Sequence, residues 1–416
     1  MINKSIISCA LVLMVSIQIS AQSNQLSSSP YSLYGLGLSN ETSTGTINGL
    51  GGLGLAMPSN RFINSSNPAS FGSILPNSFF FDFGFKAQTN TLSEKGGSNS
   101  NFIGNFSNIA LAFPVTKKSG FGLTLIPLTN VGYSVSNIQT NIEGSSSSIF
   151  ITDITGTGGI NDLKLNYGYA LSNKLRLGIN ASALFGQITQ TETDYLPYNT
   201  FIIEDVNNYS GIRLGAGFQY DVLKSTSIGA TINLPTSLNG SKSSTITLYT
   251  SDSTSDLTEN TESSIDDFKL PLELAFGFQT TFKNYLSVNF DYKKSFWDTT
   301  NQTDQLGEFV DQDAFGIGLQ YAAEKKIGKF FNNLEYRAGF DFSNGNLEVN
   351  DQRIQNSALK LGIGVPFNNG TSSMINIGYT YGKKGQVSSG LINENYHLLT
   401  LNLSLEGIWF MKRKID

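Results

Sequence analysis

The sequence predicts an all-β fold, a transmembrane antiparallel β-barrel of fourteen strands. Three observations predict it: the composition, the alternation of apolar and polar residues, and the rhythm of the connections. Only 14% of the 416 residues are charged, whereas Phe (29), Tyr (17) and Gly (42) are abundant. Soluble domains carry roughly 25% charged residues. Beyond the N-terminus no apolar run approaches the ~20 residues of a spanning helix. The composition therefore favours membrane strands over membrane helices.

Strict alternation is the second observation, and it is clearest near the C-terminus. Leucines occupy every odd position from Leu399 to Leu405, with Thr400, Asn402 and Ser404 between them. Phe79 to Phe85 show the same period against Asp82 and Gly84. A period of two is the signature of a strand with two different faces. The predicted strands are residues 78–91, 102–115, 120–140, 147–172, 174–192, 207–222, 225–250, 264–283, 284–300, 309–323, 331–347, 353–366, 371–385 and 393–411.

Charged residues occur on the face opposite the apolar one. A Lys or Arg facing lipid at the membrane midplane costs ~2–4 kcal/mol, so these side chains are expected in the lumen. Both signs are present, which is consistent with mutual pairing or with a path for polar solutes. The residues are Lys86, Lys164, Arg176, Arg213, Glu273, Asp291, Lys293, Glu335, Arg337, Asp341 and Lys360.

Connection lengths are the third observation. Tight connections such as 117–120, 172–174 and 223–225 alternate with long polar ones such as 192–208 and 250–266. Outer-membrane barrels have short periplasmic turns and longer extracellular loops in this order. The rhythm gives an even strand count and places both termini in the periplasm.

The first 21 residues have the pattern of a secretory signal peptide. Lys4 precedes an apolar stretch from Ile6 to Ile19, and small residues lead to a cleavage point before Gln22. The stretch is too short for a membrane anchor of ~17–25 residues. A lipoprotein cleavage at Cys9 is disfavoured because the apolar core before it is too short.

Several kinds of chemistry are excluded or disfavoured. The only cysteine, Cys9, lies in the leader, and the only histidine, His397, cannot build a histidine-rich metal site or a Ser-His-Asp triad. A net charge of −5 gives no basic footprint for nucleic acid. The lumen carboxylates show no positioned acid–base pair. We therefore expect no catalytic residue, no metal, no cofactor and no nucleic-acid partner.

Residues 22–77 lack a clear period and are rich in Gly and Ser. They contain Gly35-Leu36-Gly37, Gly49-Leu50-Gly51-Gly52-Leu53-Gly54 and Asn67-Pro68-Ala69, the last about ten residues before the alternation begins. This arrangement resembles the N-terminal hatch of the FadL-type outer-membrane transporters of long-chain fatty acids and other hydrophobic compounds. The Gly-rich stretch 158–163 and Leu270-Pro271-Leu272-Glu273 with Trp297 also resemble that family. The basic tail Lys412-Arg413-Lys414, after the aromatic Trp409-Phe410, departs from barrels that end on an aromatic residue.

The resemblance implies three parts: a signal peptide (1–21), a hatch that plugs the lumen (22–77) and a fourteen-stranded barrel (78–416). In that family Asn-Pro-Ala closes the hatch, which assigns this role to Asn67, Pro68 and Ala69. It also implies lateral release of the ligand through a gap made by a kink in strand three. Pro127 lies in the predicted strand three, and proline in a strand is confined to edges or bulges. Pro127 therefore marks either a lateral opening or a harmless bulge.

The leading functional hypothesis is passive uptake of a hydrophobic small molecule, such as a long-chain fatty acid, by a monomer in contact with lipid and lipopolysaccharide. Apolar residues of the hatch either line the ligand pocket or anchor the plug: Leu50, Leu53, Leu55, Phe62 and Ile63. The alternatives are an accessory barrel of a larger outer-membrane assembly and a general polar pore. A continuous apolar cavity reaching the wall near Pro127 would favour transport. A lumen filled by charge pairs and hatch would favour the accessory role.

Overall fold

A computed structural model describes residues 27–408, except for 41, 53, 142–148, 197, 251–256, 284, 305–306, 323–329, 368–370 and 389. The predicted signal peptide, Leu53 and the C-terminal residues from Trp409 onward therefore lie outside the described residues. Within the described part, nearly all regular structure is antiparallel strand.

The strands follow the chain in a simple up-and-down order. They are β1 (Leu38–Ser39), β2 (Ser78–Glu94), β3 (Gly97–Thr116), β4 (Ser119–Pro127), β5 (Thr129–Asn141), β6 (Ile149–Ala170), β7 (Leu175–Tyr195), β8 (Asn199–Leu223), β9 (Thr226–Asn233), β10 (Thr236–Thr250), β11 (Leu257–Leu270), β12 (Leu272–Phe282), β13 (Leu286–Phe296), β14 (Glu308–Phe309), β15 (Gln312–Ala322), β16 (Glu335–Ser343), β17 (Leu347–Val349), β18 (Gln352–Arg353), β19 (Asn356–Pro366), β20 (Met374–Lys384) and β21 (Asn393–Ile408).

These strands build a closed barrel with fourteen positions in its wall. Three positions are each shared by two consecutive strands, namely β4 with β5, β9 with β10, and β11 with β12. Pairing of β2 with β21, from Ser78–Ile408 to Ser93–Asn393, closes the sheet on itself. Closure removes the free edges that an open sheet would expose to lipid. The fold class and strand count predicted from the sequence are confirmed.

The two faces of the wall differ as the alternation predicts. Along β20, Ile377, Tyr379 and Tyr381 are exposed, whereas the residues between them are buried. Asp82 and Asp291 are on the buried face, where they contact the backbone of residues 45 and 54. Membrane-spanning barrels have an apolar outer face and a polar interior, as this wall does. Among the described residues, no helix has the length and apolar character to cross a membrane.

Two predicted loops, 192–208 and 250–266, are largely strand. β7 and β8 stay paired up to Tyr195–Thr200, and β8 pairs with β10 up to Asn199–Thr250. With β5, β6 and β11 they extend the wall beyond the length of ~9–11 residues that crosses a membrane. Water contacts both faces of such an extension, so the apolar–polar alternation is lost there. The predicted strands consequently ended where the alternation stops, although the strands in the structure continue beyond that point.

The predicted strand three is interrupted at Leu128. β3 pairs with β2 along most of its length but with β4 only between Ile109–Leu125 and Thr116–Ser119. After Pro127 the chain continues as β5, which pairs with β6 and with β1 but, among the described residues, not with β3. A proline has no N–H to donate to a ladder, which is consistent with pairing that stops beside Pro127. The wall therefore has a break in its hydrogen bonding between β3 and β5.

Residues 27–77, here called the N-terminal segment, lie inside the barrel. They contain a 3-10 turn at Pro30–Leu33, the short strand β1, one helical turn α1 (Gly45–Asn48) and a second 3-10 turn at Pro68–Ser73. Most of their side chains are buried. A small sheet of β14, β17 and β18 from the long loops lies outside the wall pairing and contacts the first residues of this segment.

Candidate functional site

The second 3-10 turn, Pro68–Ser73, is fixed against three wall strands by glycines. A Cβ on Gly168, Gly178 or Gly217 would overlap residues 67 to 72 of the turn. Proline at the first position of the turn has the φ value that it needs and no orphan N–H. Glycine on the wall and proline in the turn thus allow two backbones to approach closely.

Asn67 is the N-cap of this turn and is fully buried. Its Oδ1 accepts from the Ala69 N–H at 3.0 Å, and its Nδ2 donates to the carbonyls of Leu55 at 2.8 Å and Phe218 at 2.9 Å. One amide therefore joins the turn, an earlier part of the N-terminal segment and strand β8. The geometry explains why Asn, rather than Asp or Ser, fits this position, because only an amide both donates and accepts.

Replacing Asn67 with Ala is expected to destabilise the N-terminal segment by about 2–3 kcal/mol, because the Ala69 N–H loses its acceptor and the Phe218 and Leu55 carbonyls each lose a donor, Leu55 keeping only Gln219 Nε2. Asn67→Asp, which keeps the acceptor for Ala69 and loses both donations, should be nearly as damaging. The measurement is the rate of trypsin cleavage after Arg61 in the folded barrel. Cleavage as slow as in the parent protein in both variants would contradict the capping role.

The candidate ligand residues do not converge on one apolar pocket. Leu50 is fully buried against the backbone of Gly339, and Leu55 lies beside Gly277. Ile63 belongs to a separate apolar cluster with Phe71 and Phe80, and Phe62 is half-buried nearby. Leu53 is outside the described residues. Leu50, Leu55 and Ile63 therefore pack against the wall at separate places.

Ion pairs cross the lumen face of the wall. Glu273 is the centre of one group, with Lys293 Nζ at 2.7 Å and Arg213 Nη1 at 3.3 Å. Lys360 lies 2.9 Å from Asp341. Polar and charged groups in a membrane barrel are expected to pair in its interior. Among the described residues, no group of three His, Cys, Asp or Glu side chains could hold a metal ion.

Two wall carboxylates accept hydrogen bonds from backbone N–H groups of the N-terminal segment. Asp291 accepts from the N–H groups of Gly54 at 2.9 Å and Leu55 at 3.1 Å. Asp82 accepts from Asn108 Nδ2, Asn402 Nδ2, Ser404 Oγ and the Gly45 N–H. The sequence analysis placed Asp291 only among the lumen charges and did not single out Asp82. The sequence signal that could have indicated Asp82 is an acidic residue within a Phe-rich strand.

A cavity in the described part of the lumen has a volume of about 390 Å³. Glu273, Asp291, Lys293, Asp341 and Lys360 line its wall side, and the N-terminal segment closes its other side. The lining combines charged groups of both signs with the apolar side chains of Leu55, Phe315 and Phe342. A chamber of this mixed character suits a ligand with both a polar and an apolar part.

The space behind the break between β3 and β5 is occupied by the N-terminal arm, defined as residues 27–40. β1 pairs with β5 at Leu38–Asn130 and Ser39–Thr129, and the Gly132 N–H donates to Ser32 Oγ at 3.0 Å. A Cβ on Gly132 would overlap the backbone of Ser27. The arm therefore covers the inner side of β5 where β3 does not pair with it.

The arm is also bonded to β21 and to the outer loops. Ser29 Oγ donates to Glu394 at 2.5 Å, and Tyr31 Oη donates to the Ile392 carbonyl at 2.5 Å. Burial raises the pKa of Tyr31 to about 12, so this phenol remains a proton donor. The Gly35 N–H donates to Asp304 at 2.9 Å. The arm is held from three directions.

Apolar side chains of the arm pack against the wall and the outer loops. Leu36 packs into a cluster with Phe268 and Trp297 of the wall. Tyr31 packs with loop residues Leu347 and Val349. The cavity that remains beside Leu36 is about 60 Å³. The same cavity is lined by Leu128 and Thr129, directly after Pro127.

The comparisons with known proteins agree with this architecture. The family model described as BamG matches residues 1–416. The chain belongs to the BamG family. No curated protein matches the sequence.

Solved structures place this BamG-family chain in the FadL-type barrel fold. The Pseudomonas putida toluene transporter TodX is 14% identical, with a TM-score of 0.62 over 89% of this chain and 100% of that one. The Ralstonia pickettii toluene transporter TbuX is 16% identical, with a TM-score of 0.60 over 88% and 98%. A Pseudomonas aeruginosa FadL homologue is 12% identical, with a TM-score of 0.60 over 90% and 100%. At these identities the likeness concerns the fold and not the ligand.

Proposed function

We propose that this protein is an accessory barrel of an outer-membrane assembly and does not itself pass solutes. The observation that supports this most directly is the occupied lumen. The arm fills the space behind the wall break, and ion pairs and the rest of the N-terminal segment fill much of the remainder. The protein would then serve as a rigid membrane-embedded scaffold, exported by the signal peptide at residues 1–21.

The rigidity of the plug supports a scaffold. Residues 27–77 act as the hatch, with Asn67, Pro68 and Ala69 as its closing motif. Its bonds reach wall strands on several sides, through Asp82, Asp291 and Glu394. A hatch that opened for each substrate would have to break these buried bonds together, and each costs about 1–3 kcal/mol when left unsatisfied.

A second candidate is uptake of a hydrophobic small molecule, such as a long-chain fatty acid, with lateral release at Pro127. Two observations favour it: the wall break between β3 and β5, and the fold shared with toluene transporters. In this scheme the monomer is surrounded by lipid and lipopolysaccharide, and the arm is displaced by ligand. Leu36 and Trp297 would then form part of the ligand pocket, with Leu55 farther along the lumen.

Uptake into proteoliposomes separates the two candidates. We expect the full mature chain to admit a fluorescent long-chain fatty acid and a small sugar no faster than protein-free liposomes. Deletion of residues 27–39 removes the bonds to Glu394, Ile392 and Gly132, and should open the lumen to the sugar. Substantial uptake of the fatty acid by the undeleted chain would contradict the accessory role and support transport.

The accessory role also requires a complex. Extracted from its own outer membrane in mild detergent, the protein is expected to run on native gels well above the mass of the 416-residue chain in its micelle. Migration as a monomer across several mild detergents would contradict the proposal.

A further inference from the structure

Four short turns that contain lysine form one basic rim. They are residues 117–118, 171–174, 224–225 and 283–285, and they connect β3 to β4, β6 to β7, β8 to β9 and β12 to β13. They carry Lys117, Lys118, Lys174, Lys224 and Lys283, and no Asp or Glu. All five lysines are exposed. Five positive charges are therefore gathered at one end of the barrel.

These lysines have no acidic partner among the described residues. The ion pairs in the described part of the chain involve other cations, including Arg176 and Lys242 farther along the same strands. Lysines that pair inside the protein serve its stability, whereas unpaired exposed ones are available to an external anion. The rim is therefore a surface for a negatively charged partner.

The opposite end of the barrel carries both signs of charge, including the exposed Lys95, Lys269 and Lys383. The outer part of β11, residues 257–267, carries Glu259, Glu262, Asp266 and Asp267 and no Lys or Arg. The four turns of the rim differ from that end, because they carry lysine and no Asp or Glu.

Aromatic side chains identify the environment of the basic rim. Tyr169, Tyr220 and Tyr285 face outward and are exposed, and each lies within a few residues of a rim lysine. Tyr285 also packs edge-to-face with Tyr321 of the neighbouring strand at 5.6 Å. Outward Tyr followed by Lys is the order found where a membrane wall passes through the headgroup layer. The rim is thus at the depth of the lipid headgroups and extends along the wall from β3 to β13.

We propose that the rim lysines bind the phosphate groups of anionic phospholipids in the periplasmic leaflet. Each ammonium sits at the depth of the phosphates and has a flexible stem to reach them. This binding would fix the depth of the barrel and collect acidic lipid around it. The inference rests on the membrane placement given under the proposed function, but not on the absence of transport.

Native mass spectrometry of the full mature chain in an uncharged detergent tests the proposal. The chain is titrated with phosphatidylglycerol or with phosphatidylcholine of the same acyl chains. We expect the parent protein to prefer phosphatidylglycerol by about fivefold or more, and the preference to fall as salt is added. Equal binding of the two lipids by the parent protein would overturn the proposal.

Two matched triple variants locate the effect. Lys118→Gln with Lys174→Gln and Lys224→Gln should reduce the preference to within about twofold. Lys95→Gln with Lys269→Gln and Lys383→Gln changes the net charge equally at exposed positions toward the other end and should leave it intact. Equal losses in both variants, or none in the rim variant, would overturn the proposal. Salt-dependent binding of an acidic protein to the rim, without any preference between the two lipids, would also overturn the proposal. The lipid titration contains no uptake step, so its failure is distinct from a failure of the proposed function.

Discussion

Gly178→Leu is expected to expel the N-terminal segment from the barrel. A Cβ at this position would overlap the backbone of Pro68 and Ala69, and neither is the movable end of a side chain. The turn cannot move away from the wall without breaking the hydrogen bond from Asn67 Nδ2 to the Phe218 carbonyl. The cost should exceed the ~3 kcal/mol typical of overpacking, because backbone rather than side chain must shift.

Two measurements follow the displaced segment. Proteoliposomes containing Gly178→Leu should swell in a small sugar that the parent protein excludes, and Arg61 should become rapidly cleavable by trypsin. Gly104→Leu is the matched control, since the nearest atom to its Cβ is Phe85 Cζ at 3.5 Å and no part of the N-terminal segment lies within 4 Å. A Gly178→Leu barrel that folds and keeps Arg61 protected would contradict this account of the plug.

Glu335→Leu should give the largest loss of stability among the charge substitutions. Arg337 is fully buried and donates to Glu335 at 2.6 Å and to Asn376 at 2.8 Å. Arg61 of the N-terminal segment lies 3.0 Å from the same carboxylate. Removing one partner of a buried ion pair leaves a buried charge without compensation and costs about 3–5 kcal/mol.

A double variant separates charge from packing. Glu335→Leu with Arg337→Met removes both charges and should recover much of the loss, because an apolar pair of similar volume can replace a buried ion pair. Glu348→Leu, which breaks the exposed pair with Arg353, is expected to cost less than ~1 kcal/mol. Urea unfolding in detergent micelles measures all three. A double variant no more stable than Glu335→Leu would show that packing, not charge, dominates at this site.

Together these results would describe a barrel in which the N-terminal segment supports the wall strands. Asp82 and Asp291 bind backbone N–H groups of the plug, and the glycines of β6 to β8 admit the Pro68–Ser73 turn. The N-terminal segment in turn supports β5, which among the described residues does not pair with β3. Loss of the plug should therefore weaken the wall as well as open the lumen.

The sequence by itself determined the barrel. Leu399 to Leu405 and Phe79 to Phe85 alternate because lipid lies on one side of the wall and a polar lumen on the other, and this contrast acts on each strand independently of its neighbours. The fourteen strands and their order could therefore be predicted. At 192–208 and 250–266 the contrast ends above the membrane, and the prediction of loops was wrong.

Only the tertiary structure decided what the lumen contains. Asn67 bonds to Phe218, Ser29 to Glu394 and Gly35 to Asp304, and these partners are separated by 151 to 365 residues. Such contacts leave no period in the sequence, since each depends on one pair of positions brought together by barrel closure. The sequence analysis placed Pro127 at a candidate break in the wall, but only the fold showed the arm of residues 27–40 lying behind it.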